Sequence, residues 1–242
     1  MMQDFPLVVV DLLAVVKFTP LFITVLIGWI LSVAVHEFSH ALFAYWGGDR
    51  SVKERGYLHF DLLSYIDPVT SILIPAIFLA LGGLPLPGGA VRIDRSALRS
   101  RNWECAVSAA GPLANLVMFA LIAVVLNPNT GLVDPGAFDQ PNWVKMLGAL
   151  SVLQVMAFFF NLIPVPPLDG FGMLAPYMDY HAREKAERLG FKGLIAIFLA
   201  FTLIPPVNAF FFKLVDRVLE IAGLPYEVTW RQFNLALFGS SE

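Results

Sequence analysis

The sequence predicts an all-α, polytopic transmembrane helical bundle in which one apolar segment enters the bilayer and turns back. Three observations carry that prediction. Runs without Asp, Glu, Lys or Arg cover 106–126, 146–167 and 193–212, and each can cross a hydrocarbon core of about 30 Å at about 1.5 Å per residue. Lys and Arg crowd some connections and are absent from another, which orients the spans. A further apolar piece, 68–90, lies between two basic connections and is too interrupted for a simple crossing. With 57% hydrophobic and 14% charged residues among 242, the chain is a membrane protein.

The N-terminal stretch 5–16 contains Asp11 and lacks a basic leader. It reads as an interfacial or partly inserted segment, not a cleavable signal peptide. Spans are expected at about 20–46, 103–126, 144–163 and 192–212. No repeat, low-complexity tract or flexible linker divides the chain, so 1–242 is expected to be one integral-membrane domain. The connections hold no sensor or peptide-binding module, so regulation would come from a separate partner or from earlier trimming of a substrate. No nucleic-acid partner is expected; the lipid bilayer is.

Arg50, Lys53 and Arg55 follow the first span, Arg92, Arg95, Arg99 and Arg101 precede the second, and Arg183, Lys185, Arg188 and Lys192 precede the last. These connections belong on the cytoplasmic side. The stretch 127–142 has no Lys or Arg and belongs outside. A single crossing by 68–90 would violate that pattern. Pro75, Gly82-Gly83 and the sequence LPLPGG break its helix, so a re-entrant helix and extended segment is expected at about 68–91.

Ionisable groups inside a span are expensive and mark function. The run VAVHEFSHALFAYW, 33–46, carries His36, Glu37 and His40. His36 and His40 are one turn apart on one helix face, and Glu37 lies beside them. This is the HExxH arrangement, in which two imidazoles bind zinc and the glutamate serves as a base. The same cluster could instead serve a proton relay or a polytopic ion or metal transporter. Catalytic zinc wants a third protein ligand and one open position. Cys105 is the single cysteine, so the third ligand must be His, Asp or Glu. His59 and His181 sit in polar connections. Asp169, in FNLIPVPPLDG at 160–170, follows a charge-free span, and the orientation above brings it to the same inner half of the bilayer as His40.

Taken in order along the chain, these residues resemble the site-2 protease family, the intramembrane zinc metalloproteases, in its compact prokaryotic form without PDZ or CBS domains. HEFSHALFAYWGGD resembles the family's HExxH helix, LSYIDPVTSILIP its HIDPxG segment, AAGPLANL its GPxxN helix, and FNLIPVPPLDG its NxxPxPxxDG motif. The resemblance covers about residues 20 to 215. It implies an endopeptidase with one zinc ion per chain, held by His36, His40 and Asp169, with Glu37 as catalytic base. Asn161 would contact substrate backbone or the oxyanion, with Asn115 as a partner in the same core; interhelical hydrogen bonding is the alternative role for both. The implied partners are membrane-protein substrates with a transmembrane helix, in the cell membrane, with the active site towards the cytoplasm. Tyr65, Thr70 and Phe171-Gly172 depart from the family pattern, the last from a usual Gly-Arg. The prolines at 164, 166 and 167 are expected to leave an irregular strand, with 85–91 as a candidate second piece, open to strand addition by an unwound substrate; plain helix termination is the alternative.

Overall fold

The computed structural model describes residues 19–59, 91–137 and 139–239. The N-terminal stretch 5–16, Tyr65, Thr70 and nearly all of the predicted re-entrant segment 68–91 lie outside the described residues. Every regular element among the described residues is helical.

Helix α1 runs Pro20–Gly47. The Thr19 hydroxyl accepts from Phe22 N at 3.1 Å to open it, with Pro20 at a position where no amide hydrogen is needed. It closes on Gly48 at φ 125°, a conformation that favours glycine, and a Cβ there would also meet the Ala97 carbonyl. A short turn, α2, follows at Ser51–Glu54. Helix α3, Arg101–Leu126, is capped by Ser100, whose hydroxyl accepts from Trp103 N at 3.3 Å. Helix α4 runs Asn142–Asn161. Of the helices described, α1, α3 and α4 are long and apolar enough to cross a membrane, and they match the first three predicted spans.

These helices form the core of the bundle. α1 packs on both α3 and α4, and α3 packs on α4. α4 is the most enclosed. Trp29 and Val33 from α1, Phe119 from α3, and Leu153, Met156 and Phe160 from α4 share one buried cluster. Because lipid is as apolar as these side chains, close backbone approach matters more than burial from water. Gly28 lies against Leu150, and a Cβ on Gly148 would strike the Val228 carbonyl. Ile23, Ile27 and Leu31 on α1, and Leu113, Val117, Leu121 and Val124 on α3, form exposed apolar stripes at roughly four-residue spacing, the faces offered to lipid.

After α4, residues 162–168 make consecutive turns. Leu162 N bonds Phe158 O, Ile163 N bonds Phe160 O, Val165 N bonds Ile163 O at 2.8 Å and Leu168 N bonds Val165 O at 2.9 Å. The three prolines in this segment have no N–H. Every amide hydrogen here is therefore used within the chain, and the expected strand-like edge is a run of turns with no donor left for a substrate strand. The segment delivers α5, Asp169–Leu174. Gly170 packs against the Leu162 and Ile163 carbonyls, and a Cβ on Gly172 would meet the Ser108 hydroxyl. Phe171 is buried. The departure from Gly-Arg thus has a packing counterpart: the bulk sits at 171, and α3 leaves no room at 172.

Helix α6, Tyr180–Glu187, has no buried residue and carries an ion pair at its end, with Arg188 on Glu184 at 2.8 Å. Arg95 at 2.9 Å and Arg183 at 3.0 Å converge on Glu104. They tie the turn at Arg95–Ala97 and α6 to the first turn of α3.

The predicted fourth span, 192–212, is divided. Helix α7, Gly190–Leu203, and helix α8, Pro205–Ile221, follow one another, and Lys192–Leu203 meets Pro205–Ile221 at 93°. Pro205 and Pro206 cannot donate into the preceding turn, so the helix breaks where apolarity alone would continue it. On α8, Phe211, Val215 and Leu219 are buried while Lys213, Asp216, Arg217 and Glu220 are exposed. Helix α9, Trp230–Phe238, then packs on α4, and Trp230 Nε1 donates to Asp216 at 2.7 Å.

Candidate active site

His36, Glu37 and His40 are buried on α1, between the main core and a smaller cluster formed by Ala41, Ala44, Val52 and Val107. His40 is followed by seven residues to the end of α1 at Gly47, so it lies about 10 Å from that end at about 1.5 Å per residue. The Nε2 atoms of His36 and His40 are 3.0 Å apart. Asp169, the first residue of α5, brings Oδ2 to 3.2 Å from His36 Nε2 and Oδ1 to 3.3 Å from His40 Nε2. Residues separated by most of the chain thus present two imidazole nitrogens and a carboxylate to one point.

The donor set fits a zinc ion. Ligands at about 2.0–2.1 Å from a tetrahedral metal stand about 3.3 Å from one another, close to the separations here. Protonation points the same way. His40 Nδ1 lies 2.7 Å from the Val107 carbonyl, which can only accept, so Nδ1 carries a hydrogen, and Nε2 is the free lone pair when the ring is neutral. His36 Nδ1 faces Asn115 Oδ1 at 2.5 Å. With both rings neutral and their Nε2 atoms bare, two lone pairs and a carboxylate turned towards one another would suit a cation between them. Glu37 offers an oxygen to the same group; the ligand atoms of His36, Glu37 and His40 all lie within 4.8 Å of one another.

α3 approaches this group through a residue without a side chain. A Cβ on Gly111 would fall on the Nε2 atoms of both His36 and His40, so only glycine leaves the centre open on that side. The other flank is set from the end of α1. Asp49 is buried; its Oδ1 accepts from Ser51 N at 2.9 Å and Ser51 Oγ at 2.6 Å, and its Oδ2 accepts from Asp94 N at 2.8 Å. This pins the stretch 91–94 beside α1, with Val91 N donating to Glu37 Oε2 at 3.4 Å. The Ser96 hydroxyl and N–H hold the Asp94 carboxyl below the usual carboxylate range.

Of the residues singled out in the sequence, His36, Glu37, His40 and Asp169 converge. Asn115 is buried behind His36, and its Nδ2 donates to Gln154 Oε1 at 2.8 Å. Asn161, the last residue of α4, is buried with its Nδ2 turned onto Ala157 O of its own helix at 3.1 Å. Sequence reasoning did not single out Gln154 or Ser32, and met Gly111 and Asp49 only as letters of the motifs AAGPLANL and HEFSHALFAYWGGD. Gln154 carried a signal, as a polar residue inside the charge-free run 146–167.

Fold and site together describe a helical membrane protein with a buried cluster of two histidines, a glutamate and an aspartate built on HExxH. Comparison with known proteins agrees. The chain is 36% identical over 217 residues, 88% of its length and 80% of the relative's, to Rip2 of Mycolicibacterium smegmatis, assigned as a zinc metalloprotease. It is 34% identical over 224 residues to Rip2 of Mycobacterium tuberculosis H37Rv, covering 90% of this chain and 82% of that one. It is 30% identical over 191 residues, 74% of this chain and 84% of the relative, to YwhC of Bacillus subtilis, assigned to the same activity. No family model and no solved structure matches the chain. The chain belongs to the site-2 protease family.

Proposed function

We propose that the protein is an intramembrane zinc endopeptidase that hydrolyses peptide bonds within or near transmembrane segments of membrane-protein substrates. The observation that carries this reading is the approach of His36, His40 and Asp169 to within 3.0–3.3 Å of one another, with Glu37 alongside. One zinc ion per chain, held by those three residues, would supply a Lewis acid for the scissile carbonyl and lower the pKa of water to about 7. Glu37 takes the proton of the attacking water and hands it to the leaving amine. Asn161, placed just before the turns that lead to Asp169, exchanges its bond to Ala157 O for one to substrate backbone.

The charge bias of the connections supports a multi-pass protein of the cell membrane with its site towards the cytoplasm. A centre about 10 Å from the inner end of α1 gives water a short route. A transporter built on the same cluster remains the competing class, because polar side chains continue from His36 through Asn115 and Gln154.

Purified protein, assayed for zinc content and for cleavage of a panel of single-span substrates, separates these. Glu37→Gln keeps its zinc and loses cleavage by about 10²-fold or more, and Asp169→Ala loses both. Cleavage by Glu37→Gln at the wild-type rate removes Glu37 from its role. Metal flux into liposomes without cleavage by the wild type favours transport.

A further inference from the structure

Behind His36, at the ring nitrogen that does not face Asp169, a file of buried polar groups crosses from α1 to α3 to α4 and returns to α1. His36 Nδ1 meets Asn115 Oδ1, Asn115 Nδ2 donates to Gln154 Oε1 at 2.8 Å, Gln154 Nε2 donates to Ser32 Oγ at 2.6 Å, and Ser32 Oγ donates to the Gly28 carbonyl at 2.9 Å. Gln154 is fully buried, and Asn115, His36 and Ser32 are nearly so. Polar groups at this depth are costly unless each finds a partner. Nothing in the file is charged, so it contributes direction and not charge.

We propose that Gln154 and Ser32 are positioning residues that act through Asn115 to hold His36 in the tautomer whose bare Nε2 faces His40 and Asp169; this rests on the zinc reading of the site. The file can run in two senses, and its end selects one. The Gly28 carbonyl can only accept, so the Ser32 hydroxyl hydrogen lies on that contact and the Ser32 oxygen is left to accept. It must therefore see the NH₂ end of Gln154. Gln154 then turns its oxygen to Asn115, Asn115 turns its oxygen to His36, and His36 carries its hydrogen on Nδ1. In the opposite sense, the Ser32 and Gly28 oxygens would stand 2.9 Å apart with no hydrogen between them. His36 Nε2 would then be protonated, aimed at the metal position and unable to bind there. Heavy-atom positions alone do not orient an amide; the backbone acceptor at one end and the ligand requirement at the other do, and they agree. A metal-binding histidine is ordinarily oriented by a partner on its other nitrogen; here that partner is itself oriented by α4 and by an earlier turn of α1.

The test compares wild type with Gln154→Leu, Gln154→Glu and Ser32→Ala in the full chain. Zinc affinity is read by competition with a chromophoric chelator, and the ring-nitrogen signals of His36 by NMR on ¹⁵N-histidine-labelled, zinc-free protein at alkaline pH, where imidazole is neutral. Gln154→Leu is expected to weaken zinc binding by about 10–100-fold and to shift proton occupancy from Nδ1 towards Nε2. Gln154→Glu presents an oxygen to Asn115 in either protonation state, so it restores both readouts. Ser32→Ala, which changes little volume, gives a smaller loss in the same direction. Wild-type affinity with unchanged ring signals in both Gln154→Leu and Ser32→Ala overturns the proposal, as does a loss of zinc equally deep in Gln154→Glu, which would mark a site of packing only. A wild type that binds no zinc brings down the zinc reading alone; the ring signals, taken without metal, still decide the relay by whether Gln154→Leu moves them.

Discussion

His36 and His40 stand one turn apart on the same helix and offer the same ring nitrogen to Asp169, yet different kinds of group hold them from behind. His40 Nδ1 bonds the Val107 carbonyl, a backbone acceptor that no side-chain substitution removes. His36 Nδ1 bonds the Asn115 side chain, which depends in turn on Gln154 and Ser32. One half of the centre is fixed by the path of α3, and the other by the identity of side chains on three helix segments. The difference locates where the centre is open to mutation: support fails on the His36 side first, and His40 yields only when α3 itself moves.

The largest effect is expected where the two halves meet. Gly111→Ala sets a methyl group on both Nε2 atoms, and because α3 packs extensively on α1, neither helix can retreat without disturbing the other. Overpacking of this kind costs about 1–3 kcal/mol in a close-packed interior, and here relief comes by displacing the imidazoles. Stoichiometric zinc should be lost in both halves together, as measured by metal analysis of purified protein. Retention of full zinc in Gly111→Ala would mean that α3 can shift, and the distinction between a rigid and a mutable half would go with it.

A smaller and one-sided effect is expected at Asn115. Asn115→Leu leaves His36 Nδ1 and Gln154 Oε1 without partners, each a buried polar group costing about 1–3 kcal/mol. Zinc affinity should fall by about 10–100-fold. Asn115→Asp keeps an acceptor towards His36 and should hold zinc more nearly as the wild type does. Equal losses in the two variants would show that Asn115 acts by filling space, contrary to the comparison.

Much of this was legible from the chain alone, and each failure has its own physical cause. HExxH on one helix and Asp169 after a charge-free span are local patterns, and the bias of Lys and Arg was enough to bring them to one side of the membrane. The relay was not legible, because joining Ser32, Gln154 and Asn115 requires knowing how far α1, α3 and α4 are rotated against one another, which apolar runs do not encode. The break between α7 and α8 was written in Pro205-Pro206, but a run free of charge outweighed it. At 162–168, three prolines suggested an open edge; the remaining amides instead close turns on neighbouring carbonyls, a choice set by the need to satisfy backbone groups inside a membrane protein.

The smallest effect on the metal is expected at Val107, where the comparison can be tested from its rigid side. The Val107 side chain belongs to the smaller cluster with Ala41, Ala44 and Val52, while its carbonyl, not its side chain, meets His40. Val107→Ala removes packing atoms and should lower thermal stability by about 1–2 kcal/mol. The carbonyl stays where the helix holds it: α3 is capped at Ser100 and tied by Glu104 to Arg95 and Arg183. Zinc affinity should therefore be unchanged although the protein is less stable. If Val107→Ala weakened zinc as much as Asn115→Leu, the carbonyl would have moved with the packing around it, and His40 would rest on side chains as much as His36 does.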